Sequence, residues 1–265
     1  MKRIKIWSLV LLSTLVLGLT SCLNSSSDSN GTQMGIVKVE TYLGNTSFKT
    51  NKGISYSPTP TSLAAVQSKN KFNATSGLAF IAYTEVTTQA SSDKNTIELS
   101  YAVSLDGKSI STTRGAVNDS IQKVTQSPLI SLDQLSASSE DKFTLYDSSN
   151  ENLLIGANYN FSTPNHYFSL VFYPDEVTAG ATTMDVYLSH HTSDKNATFT
   201  SAYYVGTYPS LYYHSFNILD MVSLFTGKAG NAPTKIALHT NINETGTTLP
   251  TTGTTYTINY TKTTN

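Results

Sequence analysis

NLLIGANYNF at residues 152–161, YFSLVFYP at 167–174 and MDVYLSHH at 184–191 are the three runs whose reading decides the fold. Each is short and rich in Leu, Ile, Val, Phe and Tyr, the side chains that pack well on a pleated surface. The spacers STPN (162–165) and TAGATT (178–183) supply turn residues, and no 3.6-residue periodicity runs through them. The three runs therefore read as β-strands. Further strands are predicted downstream at Ala197–Val205, Tyr212–Leu219, Lys235–Thr240 and Thr254–Lys262, and upstream at Lys142–Tyr146. Asp220–Gly227 reads as a helical turn or a loop. This rhythm of short strands and turns predicts an antiparallel β-sandwich over 126–265.

Gln126-Ser127-Pro128 breaks the chain, and the domain boundary is expected there. The preceding domain, 35–125, is also built from strands. Gly35–Tyr42 alternates, with Val37, Val39 and Thr41 on one face and Lys38 and Glu40 on the other. Gly44-Asn45 then turns the chain into Thr46–Thr50. Leu78–Val86 is almost wholly apolar, as for a strand buried on both faces. Asn95–Leu105 alternates and meets Asp106-Gly107, a hairpin signal, with Lys108–Thr113 expected to return beside it. These pieces predict a small barrel or curled sheet, with Val117–Val124 as a short helix. The fold class is all-β.

The N-terminus has a different character. Lys2, Arg3 and Lys5 precede an apolar run from Ile6 to Leu19, and Leu19-Thr20-Ser21-Cys22 follows. Basic residues followed by a short apolar run form a secretory signal, 1–21, too short for a lasting transmembrane helix of ~20 residues. Leu19-Thr20-Ser21-Cys22 resembles the lipobox of bacterial lipoproteins. That resemblance implies cleavage before Cys22, a diacylglyceryl thioether on its sulfur and N-acylation. Residues 22–34 are then the acylated cysteine and a polar tether, LNSSSDSNGTQ at 23–33, with too little apolar content to collapse.

Cys22 is the only cysteine, which excludes a disulfide framework or a multi-cysteine metal site. The chain carries 17 basic and 18 acidic residues; removal of Lys2, Arg3 and Lys5 with the signal leaves 14 basic ones and a net charge near −4. No basic stripe exists, so nucleic acid is not an expected partner. Charged residues are only 13% of the chain. Ser, Thr, Asn and Tyr supply the polar surface instead, as suits an exported β protein.

Catalytic motifs are absent: there is no G-x-S-x-G, H-E-x-x-H, P-loop or G-x-G-x-x-G. Of the five histidines, His190 and His191 are adjacent and must face opposite sides of a regular strand. His190 is the one able to join His166 or His214 from neighbouring strands, so zinc is the metal to test, although polar cross-strand contacts explain the same residues. The expectation is no metal and no cofactor. Asp175-Glu176 and Glu140-Asp141 read as solvated turn residues and not as the facing acids of a glycosidase. Tyrosine is abundant, at 16 residues, and the single tryptophan, Trp7, leaves with the signal. Tyr203, Tyr204, Tyr208, Tyr212 and Tyr213 crowd one segment, and such a cluster is the candidate binding surface for a protein or a glycan.

The order of these pieces is similar to the NigD-like lipoproteins of gut and oral bacteria. Lipobox and polar tether come first. Gly35–Val86 resembles that family's N-terminal OB-like domain. LLIGANYNF, NHYFSLVFYP, MDVYLSHHTSDK, TKIALHTN and YTINYTK resemble strands of its C-terminal sandwich, with Leu188-Ser189-His190-His191 and Asp194 similar to a recurring string. The resemblance implies an OB-like barrel followed by an antiparallel β-sandwich, no established enzyme activity, and a link to bacteriocin immunity. Asp119-Ser120-Ile121 resembles the O-glycosylation sequence of exported proteins in the same lineage, which would place a glycan on Ser120. The expectation is a non-catalytic protein anchored to the outer membrane through Cys22, facing the periplasm or the cell surface. There it would bind or shield an unknown partner, or bind glycan as a lipoprotein of a polysaccharide-uptake system.

Overall fold

The computed structural model describes residues 31–74, 77–86, 95–116, 127–135, 141–146, 148–160, 166–192, 209–244 and 248–261. The signal, Cys22, the helix expected at 117–124, Ser120 and the strand expected at 197–205 lie outside these residues. The chain divides into two compact units, one ending at Leu105 and one starting at Asp106.

The first unit is a closed five-stranded barrel. Its strands are β1 (Gln33–Tyr42), β2 (Asn45–Lys49), β3 (Ser55–Pro58), β4 (Gly77–Glu85) and β5 (Thr96–Ser104), in the order β1-β2-β3-β5-β4. β4 returns to β1 in antiparallel register, Val37 opposite Ala79, and β3 joins β5 in parallel. A helix, Pro60–Asn70, connects β3 to β4. Strand order, closure and helix position together make this the OB topology expected from the resemblance. Alternation in β1 sends Val37 and Val39 inward, where they pack with Phe48, Ile81, Ile97 and Leu99. The helix adds Val66, and β4 is buried along most of its length, as its apolar run predicts. The helix itself was not anticipated. Thr59 caps it by accepting from the Ser62 amide at 3.3 Å, Pro60 starts it, and Lys71 ends it in the left-handed conformation.

The second unit is a sandwich of two sheets. One has the order β14-β13-β11-β10-β6, made of β6 (Lys108–Ser111), β10 (His166–Phe172), β11 (Thr183–Thr192), β13 (Lys235–Thr240) and β14 (Thr254–Asn259). The other contains β7 (Ser131–Leu132), β8 (Phe143–Leu145), β9 (Asn152–Asn158) and β12 (Tyr213–Asn217), ordered β12-β9-β7 with β8 also paired to β9. Leu153, Ile155, Leu170, Phe172, Val186 and Leu238 fill the space between the sheets. Each such side chain contributes roughly 1.5–3 kcal/mol relative to an exposed position.

Two expectations change here. The five-stranded sheet is mixed: β6 pairs with β10, and β11 with β13, in parallel. A parallel step needs a crossover, and the connection from β11 to β13 carries a full helix, Leu219–Ala229, where a single turn or loop was expected. Met221, Val222, Phe225 and Ala229 of that helix enter the core. The second change concerns Asp106-Gly107, which is not a hairpin turn. Asp106 bridges to Ser215 and accepts from its hydroxyl at 3.0 Å, while the Gly107 amide donates to the Ser215 carbonyl at 2.7 Å. A Cβ on Gly107 would meet Phe216 at 2.2 Å, so glycine here serves a close approach. Lys108–Ser111 therefore joins the sandwich, and the division of the chain falls at 105/106, ahead of the 125/126 read from the sequence.

Candidate functional site

Of the five tyrosines singled out by sequence, Tyr203, Tyr204 and Tyr208 lie outside the described residues. Tyr212 and Tyr213 sit where the helical turn Pro209–Tyr212 enters β12. Their rings meet edge to face, 4.7 Å apart at 78°. Tyr212 is tied down: its hydroxyl donates to Asp133 Oδ2 at 2.9 Å. Asp133 also accepts from Asn158 Nδ2 at 2.7 Å, and its Oδ1 accepts from the Ser131 hydroxyl at 2.9 Å. Gly156 makes room for this ring, since a Cβ there would lie 2.6 Å from the Tyr212 oxygen. Burial, followed by the Asp133 charge, raises the Tyr213 phenol. These two tyrosines thus form a braced shoulder on the smaller sheet, with fixed rings and no loose reach.

Beside them runs an aromatic column. His190 lies flat on Phe168 at 4.4 Å and 10°, and Phe168 lies flat on His214 at 3.7 Å and 19°. His166 Nδ1 meets His190 Nε2 at 2.8 Å, and Tyr159 packs against both imidazoles. His214 Nε2 donates to the Leu211 carbonyl at 3.0 Å, a bond that requires its N–H. Burial holds His214 at about 3, and holds His190 well below its usual value, with the charges of His166, His214 and His191 adding to the effect. Both are neutral at pH 7. The structure brings His166, His190 and His214 together, as the sequence allowed, but the Phe168 ring stands between His190 and His214. Among the described residues no three His, Cys, Asp or Glu side chains gather as a metal site. His191 turns to the other face, as expected, and stacks on Tyr167 at 5.6 Å.

A third cluster was missed by sequence reading. On the outer face of the five-stranded sheet, the Arg114 guanidinium lies 4.0 Å from the Tyr173 ring centre and 4.6 Å from that of Tyr187. It also grips Glu176 through two contacts, Nε to Oε1 and Nη2 to Oε2 at 3.0 Å. The Arg114 hydrogen bond lowers the Glu176 carboxyl, so this acid of the Pro174–Glu176 turn is paired and not merely solvated. Tyr187 stacks on His239 at 4.7 Å and 19°. His239 Nε2 lies 2.7 Å from Asp185 Oδ1, and its Nδ1 lies 2.9 Å from the Thr255 hydroxyl. Hydroxyl, imidazole and carboxylate in a row have the membership of a hydrolase triad. They sit on an open strand surface, with both ring nitrogens engaged across three neighbouring strands, and they brace that surface. Arg114 and His239 both lie against the Tyr187 ring. The only sequence signal for it was the period-2 spacing of Asp185 and Tyr187.

No family model matches the sequence, and no curated protein matches it. Solved structures do. A candidate lipoprotein from Bacteroides fragilis matches with a TM-score of 0.62 at 20% identity, over 87% of this chain and 99% of its own. A candidate toxin-related protein from Parabacteroides distasonis matches with a TM-score of 0.52 at 15% identity, over 88% of this chain and 94% of its own. A NigD-like immunity protein from Bacteroides caccae has a TM-score of 0.47 at 16% identity, over 85% of this chain and 93% of its own. No helix among the described residues is long and apolar enough to cross a membrane. The first two likenesses establish a shared fold.

Proposed function

We propose that the chain is a non-catalytic, lipid-anchored envelope protein that binds or shields a protein partner at the outer membrane, within a bacteriocin-immunity system. The observation that carries this reading is Leu19-Thr20-Ser21-Cys22 behind a basic start and a short apolar run. It is supported by a shared fold with a protein described as a candidate lipoprotein and another described as toxin-related. One acyl chain binds a bilayer marginally, and a second makes retention stable. The segment LNSSSDSNGTQ at 23–33 has too little apolar content to collapse, as suits a tether between the lipid and β1. Beyond it, rigid β units hold loops in place for contact. The glycan reading has less support, because the Tyr212 hydroxyl is committed to Asp133 and the Tyr187 ring already packs against Arg114 and His239.

The test is photo-crosslinking in the native membranes of cells that make the protein. A defined protein partner is expected with the wild-type chain, and its recovery drops when Cys22→Ala releases the chain from the membrane. Reproducible crosslinking to no protein at all would refute the reading.

A further inference from the structure

Among the described residues β8 and β14 are edge strands of the two different sheets of the sandwich, and a cleft of about 460 Å³ lies between them. Its walls are Phe143, Thr144 and Leu145 on one side and Thr257, Ile258 and Asn259 on the other. Phe143 and Ile258 are buried and form an apolar floor, while Thr257 and Asn259 are exposed. Asp141 and Lys235 also line the cleft, so their opposite charges leave it without net charge.

The register shows which backbone groups face the opening. The Tyr260 amide donates to the Thr234 carbonyl directly opposite, in line with the pairing of Lys235 with Asn259 and Ile236 with Ile258. In an antiparallel ladder the pairs that exchange hydrogen bonds alternate with pairs that do not. Ile258 and Tyr256 therefore point their N–H and C=O groups at β13, and Thr257 and Asn259 point theirs away from it. The same counting applies on the other wall. The Tyr146 amide donates to the Asn152 carbonyl, so Thr144 faces β9 and the backbone groups of Phe143 and Leu145 face the opening, where the Leu145 carbonyl already accepts one bond from the Thr144 hydroxyl at 3.2 Å. Asn150, in the left-handed conformation, donates through Nδ2 to the Thr261 carbonyl and pins the two walls together beyond their ends.

Natural edge strands are usually blunted by Lys, Pro or a bulge. TTYTIN of β14 has neither residue, and its pairing to β13 runs unbroken over six positions, Thr254 to Asn259. We infer that this cleft takes an extended, uncharged peptide segment of a protein partner, which adds as a strand on the β14 edge between β14 and β8. Two rows of backbone donors and acceptors match an extended main chain, and an apolar floor takes alternate side chains of the incoming segment. Because β8 stands opposite, one strand enters more readily than the edge of another sheet, which favours a peptide over a second copy of this chain. The inference rests on the partner-binding reading above and specifies its site.

The test uses the acylated full chain in detergent and a phage-displayed library of random twelve-residue peptides, followed by a fluorescent synthetic copy of the most enriched sequence. Thr257→Pro removes an outward N–H at a position where an edge strand tolerates proline. Thr257→Lys adds an edge charge and keeps the backbone intact. Each substitution is expected to weaken peptide binding at least tenfold, and bound peptide is expected to slow amide exchange at Thr257 and Asn259 but not at Ile81 in the barrel. Failure to enrich any peptide, equal binding to the Thr257→Lys variant, or protection confined to other strands would overturn the inference. If Thr257→Lys still crosslinks the native partner as the wild type does, the cleft assignment fails while the partner-binding reading stands.

Discussion

A methyl group at position 156 would sit 2.6 Å from the Tyr212 hydroxyl, and that single distance ties four side chains together. Gly156→Ala pushes the ring off Asp133, which loses one of its donors. The expected cost is about 1–3 kcal/mol, as for overpacking in general, read by chemical denaturation. In a Tyr212→Ala background the same substitution should cost much less, and an unchanged cost would show that the ring is not the obstacle. His214 makes a second residue-scale prediction. Its folded-state value of about 3 lies below the 6.5 of an exposed imidazole. The unfolded chain therefore binds the proton that the native chain refuses, and stability rises with pH between about 3 and 6.5 and is level above that. His190 acts in the same direction. A single proton is exchanged at His214, so its contribution to the slope cannot exceed ~1.4 kcal/mol per pH unit. His214→Phe should flatten the acid side of the stability profile measured from pH 7 to pH 4, and an unaltered profile would contradict this. Little of this was legible in the sequence. The spacing of His190 and His191 placed them on opposite faces, but Asp133 and Tyr212 stand 79 positions apart, and no local pattern announces such a bond.

Two glycines of the Leu219–Ala229 helix and its end separate local propensity from backbone need. Gly227 lies inside the helix with open space where a Cβ would stand, whereas Gly230 caps it at φ +84° and donates to the Thr226 carbonyl. Gly227→Ala should stabilise by roughly 0.5–1 kcal/mol through helix propensity. Gly230→Ala should destabilise by about 1 kcal/mol, because a side chain disfavours the left-handed conformation. Thermal melts of the two variants should move in opposite directions. Arg114→Ala should lower stability by about 1 kcal/mol, the sum of a surface ion pair and a cation–π contact, and by less in high salt. Strands were the legible elements: Leu78–Val86 and Tyr167–Pro174 are apolar enough to exclude other readings. Helix Pro60–Asn70 was missed because its apolar positions, Leu63, Ala64, Ala65 and Val66, are few and bunched. Its signal lay in the Thr59-Pro60 start alone. Lys108–Ser111 was assigned to the wrong sheet because Asp106-Gly107 has the chemistry of a turn, and only Phe216, far along the chain, gives Gly107 its other purpose.

At the scale of the whole molecule, each unit has its own buried core, Val37 to Ala102 in the barrel and Leu129 to Tyr260 in the sandwich. That two-core plan was visible in the sequence as two families of strands, though the border moved by twenty residues toward the N-terminus. The mixed pairing of the larger sheet was not visible, since strand direction depends on where a crossover returns. The proposed function rests on the N-terminal string, whose proposed role is attachment and not chemistry. The most direct measurement is intact mass spectrometry of the protein extracted from cell envelopes. A chain beginning at Cys22 and carrying a diacylglyceryl group with a further acyl chain is the predicted result. A free thiol at Cys22 on protein recovered from the soluble fraction would contradict the account.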